Sequence, residues 1–76
     1  MNEKYAVVIE DYEGAGYGAY VPDLPGCVAA ASTRPEVEKL IAEAITLHIE
    51  SLRDHGNTVP KPSSKVEYIE PVAVAS

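Results

Sequence analysis

A capped amphipathic segment in the second half of the chain limits the folds open to it. Between Pro35 and His55, side chains suited to burial recur at intervals of three and four residues, the spacing of one helix face. These positions are Val37, Leu40, Ile41, Ala44, Ile45, His48, Ile49 and Leu52. Thr33 followed by Glu36 forms a capping box, and Gly56 suits the helix end. The sequence therefore predicts one helix over 35–55 that must bury a broad face.

Short β-rich runs precede this helix. They read YAVVIE over 5–10, YGAYV over 17–21 and CVAAA over 27–31. An acidic, glycine-containing turn separates the first two runs, which is typical of a hairpin. The loop 22–26 contains Pro25-Gly26, the pair that favours the centre of a type II turn. We therefore expect three antiparallel strands before the helix.

A fourth strand is expected after the helix, over residues 65–75. Its alternating side chains are Val66, Tyr68, Val72 and Val74, and Pro71 indicates a sheet edge. The predicted fold class is α/β in the two-layer α+β form, β-β-β-α-β. Its four-stranded mixed sheet has the order 3-2-1-4, with the apolar first strand central and the helix on one face. The chain is read as a single domain over residues 1–76.

Size and topology together predict self-association. One helix covers only one face of such a sheet, so the other face needs a cover. A chain of 76 residues also buries a small fraction of its surface on its own. A second copy of the chain is the simplest cover, and we expect a dimer or a tetramer.

Charge and composition exclude several classes of function. The net charge of −6 argues against direct nucleic-acid binding, since affinity for phosphates depends on Lys and Arg. The N-terminus has no apolar leader, and no apolar stretch is long enough to span a membrane. With a single cysteine, Cys27, neither an internal disulfide nor a zinc cluster is expected. We expect a cytoplasmic protein without a metal or other cofactor.

Catalytic residues are not expected. Cys27 follows Pro-Gly and is interpreted as a small apolar strand residue, and His48 lies toward the apolar side of the helix. Glu10, Asp11 and Glu13 form an acidic cluster, which a hairpin turn exposed to solvent explains. One enzymatic alternative stays open: with Glu70 and Asp23 as further carboxylates, the cluster would suit a residual metal-dependent nuclease.

Two blocks of the sequence resemble a known family. They are AYVPDLPGC over 19–27, and the helix segment 43–52 with its Gly56 and Pro-containing exit. Together with the first strand they make the chain similar to the HicB-like antitoxins over about residues 4–70. Many relatives have Gly-Asp-Thr before the helix and Glu-Glu-Ala at its start, where this chain has Ala31-Ser32-Thr33 and Arg34-Pro35-Glu36-Val37. Full antitoxins usually carry a C-terminal DNA-binding domain, which is not expected in a chain ending at Ser76.

The resemblance implies a function. HicB-like domains have a partial RNase H-like fold and are non-enzymatic. They bind a small basic toxin of the HicA kind, which cleaves mRNA, and cover its working surface. For such a partner we predict contacts from the acids and from tyrosine anchors. The predicted partner-binding residues are Glu10, Asp11, Glu13, Tyr17, Tyr20 and Asp23. The alternative is a homo-oligomeric domain of other function with no toxin partner.

Overall fold

A computed structural model describes residues 3–73 as a three-stranded sheet with one helix packed on it. The strands are β1 (Val8–Asp11), β2 (Tyr17–Tyr20) and β3 (Val28–Ala31), and the helix is α1 (Arg34–Asp54). Both strand pairs are antiparallel, and the sheet order is β1-β2-β3. The predicted α+β class, the three antiparallel strands and the single helix are confirmed.

The ends of α1 follow from the capping residues. Thr33 Oγ1 accepts a hydrogen bond from the Glu36 backbone N–H at 3.3 Å and donates one to the Glu36 carboxylate at 2.9 Å. At the other end Gly56 has φ +71, and its N–H donates to the Arg53 carbonyl. The next N–H, of residue 57, donates to the Leu52 carbonyl, which completes a Schellman motif. The helix therefore begins and ends within a residue of the predicted limits.

The loop between β2 and β3 supplies much of the core. The Cys27 N–H donates to the Leu24 carbonyl at 3.0 Å, and Gly26 has φ +87, as in a type II turn. This turn points Leu24 inward, where none of the residue is exposed. The buried core is completed by Ala19, Val21, Cys27, Val37 and Ile41. The most specific part of the family resemblance thus forms the centre of the hydrophobic core.

The predicted fourth strand is not confirmed. Residues 57–73 form no strand, and the last two residues of the predicted one lie outside the described part of the chain. Strand β1 is consequently at the edge of the described sheet, not at its centre. A strand is stable only when a neighbour takes up its backbone hydrogen bonds, and residues 65–73 pair with none of the three described strands. The mixed sheet of order 3-2-1-4 and the RNase H-like unit, which depend on that strand, are likewise not confirmed.

Candidate partner-binding surface

Helix α1 covers one face of the sheet and leaves the other bare. It packs on β3 and β2, so that Ala19, Ala29 and Ala31 lie beneath it. Because side chains alternate along a strand, the intervening residues point to the opposite face. That helix-free face presents Val8, Glu10, Gly18, Tyr20, Val28 and Ala30. Val28 is 64% exposed and Tyr20 is 42% exposed, so the face is an apolar, tyrosine-bearing surface open to solvent.

Tyr12 extends this face. Its ring lies against Gly18, where the Cβ of any other residue would lie 2.9 Å from a carbon of the ring. Its hydroxyl donates to a Glu10 carboxylate oxygen at 3.1 Å, and that bond raises the pKa of the Tyr12 hydroxyl. By sequence alone, Tyr12 belongs to the acidic turn between the first two β-rich runs. The pattern that could have revealed it is Gly18 itself, a strand residue without a side chain on which an aromatic ring can rest.

The β1–β2 hairpin holds the acidic cluster. Asp11 Oδ1 accepts a hydrogen bond from the Glu13 N–H at 2.9 Å, and Glu13 adopts a left-handed φ of +42. The Tyr12 N–H donates to the Gly16 carbonyl and closes the turn. Within residues 3–73 only Arg34 and Glu38 form an ion pair, so the carboxylates of the hairpin have no basic neighbour at bonding distance. The hairpin tip is an uncompensated acidic surface.

The structure divides the six predicted contact residues among several places. Glu10 and Tyr20 share the helix-free face, and Glu13 lies in the hairpin turn. Asp11 and Tyr17 are paired across β1 and β2 but on the helix side, where Tyr17 is half-buried against the core. The remaining residue, Asp23, lies at the opposite end of the sheet.

Asp23 has a separate set of contacts. Its carboxylate accepts hydrogen bonds from the backbone N–H and the hydroxyl of both Ser63 and Ser64, over 2.8–3.1 Å. These bonds, the Ser64 N–H foremost, lower the pKa of Asp23 to about 2. We call this group of Asp23, Ser63 and Ser64 the clasp. It fixes the chain that follows the helix to the β2–β3 loop.

The groups considered for catalysis lie in different surroundings within residues 3–73. Cys27 is buried in the core, and burial raises the pKa of its thiol, which keeps it protonated. Glu10 and Asp11 project from opposite faces of β1. No three His, Cys, Asp or Glu residues within the described part of the chain form a group that could hold a metal ion, so Glu70 does not complete the nuclease site considered above. A groove of about 590 Å³ beside the hairpin is lined by residues 12, 14–17 and 30–32, none of which is an acid, a histidine or a cysteine.

The fold and the surface together define a class of protein. It is a two-layer α+β domain with one bare, tyrosine-bearing sheet face and an acidic hairpin. The family model for the HicB-like antitoxin of bacterial toxin-antitoxin systems matches residues 5–73. The chain belongs to this family, as its sequence resemblance predicted. Within residues 3–73 no helix is both long enough and apolar enough to cross a membrane.

Relatives of similar size are known from several organisms. A UPF0150 protein of Thermoplasma acidophilum is 39% identical over 62 residues, which cover 82% of this chain and 90% of that protein. A UPF0150 protein of Synechocystis is 42% identical over 57 residues, 75% of this chain and 72% of the relative. An uncharacterized 14.9 kDa protein of Haemophilus phage HP1 is 37% identical over 65 residues, 86% of this chain but 48% of the phage protein. The domain therefore occurs in proteins of about its own length and in a longer one.

Proposed function

We propose that this chain is an antitoxin that binds a small basic toxin of the HicA kind and masks the surface with which the toxin cleaves mRNA. The match of residues 5–73 to the antitoxin family carries the proposal. In this role the chain is a protein-binding domain and not an enzyme. It acts in the cytoplasm, without a cofactor and without touching nucleic acid itself.

The charge distribution supports a basic partner. The chain has twelve acids against six bases, and three of the acids lie within four residues at the hairpin. An RNA-cleaving protein needs a positive surface to hold its substrate. A negative surface steers such a protein into contact and fixes its orientation. The antitoxin would occupy the surface that the toxin otherwise offers to RNA.

The proposed contacts comprise the acidic hairpin and the tyrosines beside it. Glu10, Asp11 and Glu13 supply the charge complementarity, with Asp23 at the far end of the sheet. Tyr20 lies on the helix-free face, and Tyr17 is half-buried near the hairpin. Tyrosine recurs in binding hot spots because it offers a large apolar area with a hydroxyl that can hydrogen bond.

A tagged form of the chain tests the proposal. Affinity purification from the native cell at moderate salt should recover a basic protein of under ~100 residues in stoichiometric amount, since acidic surfaces select basic partners. The purified partner should cleave mRNA, and an equimolar amount of this chain should stop the cleavage. Recovery of the chain alone, or a partner without RNase activity, would instead support the HicB-like domain of other function.

Charge reversal then tests the surface. Glu10→Lys with Glu13→Lys moves the net charge from −6 by +4 to −2. The matched control is Glu43→Lys with Glu50→Lys on exposed positions of α1, which makes the same change in net charge elsewhere. The hairpin variant should bind the partner at least ~10-fold more weakly at low salt, and the difference should shrink at high salt. Equal losses in both variants would refute the hairpin as the contact surface.

A further inference from the structure

Residues 65–73, which we call the arm, form neither a helix nor a strand and are exposed along their whole length. Its apolar side chains are almost fully exposed: Tyr68 by 93%, Val72 by 86% and Ile69 by 81%. Val66 at its start is 57% exposed. Exposed apolar residues are ordinary when scattered, but four within seven residues concentrate exposed apolar area in one short segment.

The base of the arm is fixed to the domain. The clasp holds the two serines that immediately precede the arm through four hydrogen bonds to Asp23. Just before them, the Tyr5 hydroxyl donates to the Pro60 carbonyl at 2.6 Å. These contacts therefore fix the point at which the arm leaves the domain. Beyond that point the arm is exposed.

The surface area of the chain indicates a missing partner. The chain exposes 6084 Å², whereas surface–mass scaling gives about 4,500 Å² for a compact monomer of 8.1 kDa. The radius of gyration is 15.3 Å, against about 11 Å for a compact domain of this length. The excess of roughly 1,500 Å² per chain is larger than the roughly 800 Å² that each partner buries in a standard protein–protein interface.

Strand β1 offers a place for the arm. It pairs with β2 on one side only, and α1 packs over β2 and β3 instead of over β1. The Tyr12 N–H bonds to Gly16, so the alternation of an antiparallel ladder turns the Ile9 and Asp11 backbone groups away from β2. These groups form an open edge, which a further strand can pair with.

We propose that the arm of one copy pairs with the β1 edge of a second copy, and that the second arm does the same in return. Nine extended residues span about 30 Å, which exceeds the roughly 13 Å of the four-residue β1. The exchange would bury the apolar side chains of both arms and close both sheet edges. It leaves the helix-free face and the hairpin tip of each copy unoccupied, so it does not depend on the toxin-binding proposal.

Mass measurements on the full chain test the exchange. Light scattering should give twice 8.1 kDa for the native chain. Tyr68→Asp with Ile69→Asp should halve that mass, because both side chains lie at the centre of the arm. Leu47→Asp is the control: it places a charge on a helix residue that is 66% exposed and should leave the mass unchanged. Unaltered helical circular dichroism in all variants would show that the domain is folded.

Amide hydrogen exchange shows where the arm binds. The Ile9 and Asp11 amides should exchange at least ~10-fold more slowly in the native chain than in the arm variant. The arm and β1 both carry carboxylates, which repel each other, so the dimer should persist at high salt. Binding to a basic toxin should weaken at high salt, because salt screens the attraction between opposite charges. A native monomer, with or without protected β1 amides, would overturn the proposal, as would a dimer that survives the arm substitutions.

Discussion

Replacing Leu24 by alanine tests whether the family-like loop between β2 and β3 holds the core together. Leu24 is fully buried although it lies in a turn, and it is one of the six buried residues that form the core within residues 3–73. Leucine-to-alanine changes at such sites cost about 2–5 kcal/mol through lost transfer energy and the cavity left behind. At 0.05–0.15 kcal/mol per residue, a chain of 76 residues has about 4–11 kcal/mol in total. A loss of about 3 kcal/mol would lower Tm by roughly 12–24 °C.

The matched control is Leu47→Ala, which makes the same chemical change at a position that is 66% exposed. Thermal and urea unfolding of both variants and the native chain, all at one protein concentration, would measure the free energies of unfolding. The control should stay within about 0.5 kcal/mol of the native chain. A loss below ~1 kcal/mol for Leu24→Ala would show that the loop does not anchor the core in the way its burial indicates.

Three further changes address single features of the structure. Gly16→Ala should destabilise the fold by about 1–3 kcal/mol in urea unfolding, because φ is +93 and a Cβ would lie 2.7 Å from the Ala31 carbonyl oxygen; Gly14→Ala, with positive φ but open space, should cost less. The pKa of Asp23 is depressed to about 2 from an ordinary 3.8, so the stability that the clasp contributes is present above pH 3.8 and is lost as pH falls through 2. An NMR titration midpoint near 4 would contradict the clasp. The buried Cys27 thiol should react slowly with a thiol reagent in the folded chain and rapidly in urea, and equal rates would place it at the surface.

The most specific motif of the family resemblance consists of residues whose roles are structural. Val21, Leu24 and Cys27 are buried, and the glycine between them adopts a positive φ. Such residues maintain the turn and the core of the fold. The motif does not by itself locate the surface that binds a partner, which is why charge reversal at the hairpin is needed.

Local interactions explain what the sequence by itself determined. The helix limits depend on Thr33, Glu36 and Gly56, all within a turn of the ends they cap. The type II turn depends on two adjacent residues, and the strands flanking it depend on side-chain preferences over four to six positions. Such features require no knowledge of distant parts of the chain, and the structure confirms them.

The tertiary structure decided which residues share a surface. Strand register places Asp11 and Tyr17 on the helix side while Glu10 and Tyr20 face away, a division that depends on single-residue alternation. Asp23 is joined to Ser63 and Ser64 across forty residues of sequence, a contact that no local pattern encodes. The conformation of the arm also depends on contacts that its own sequence does not specify. Its sequence favours a strand, but a strand forms only where a neighbouring edge accepts its backbone hydrogen bonds, and that edge must come from the rest of the structure.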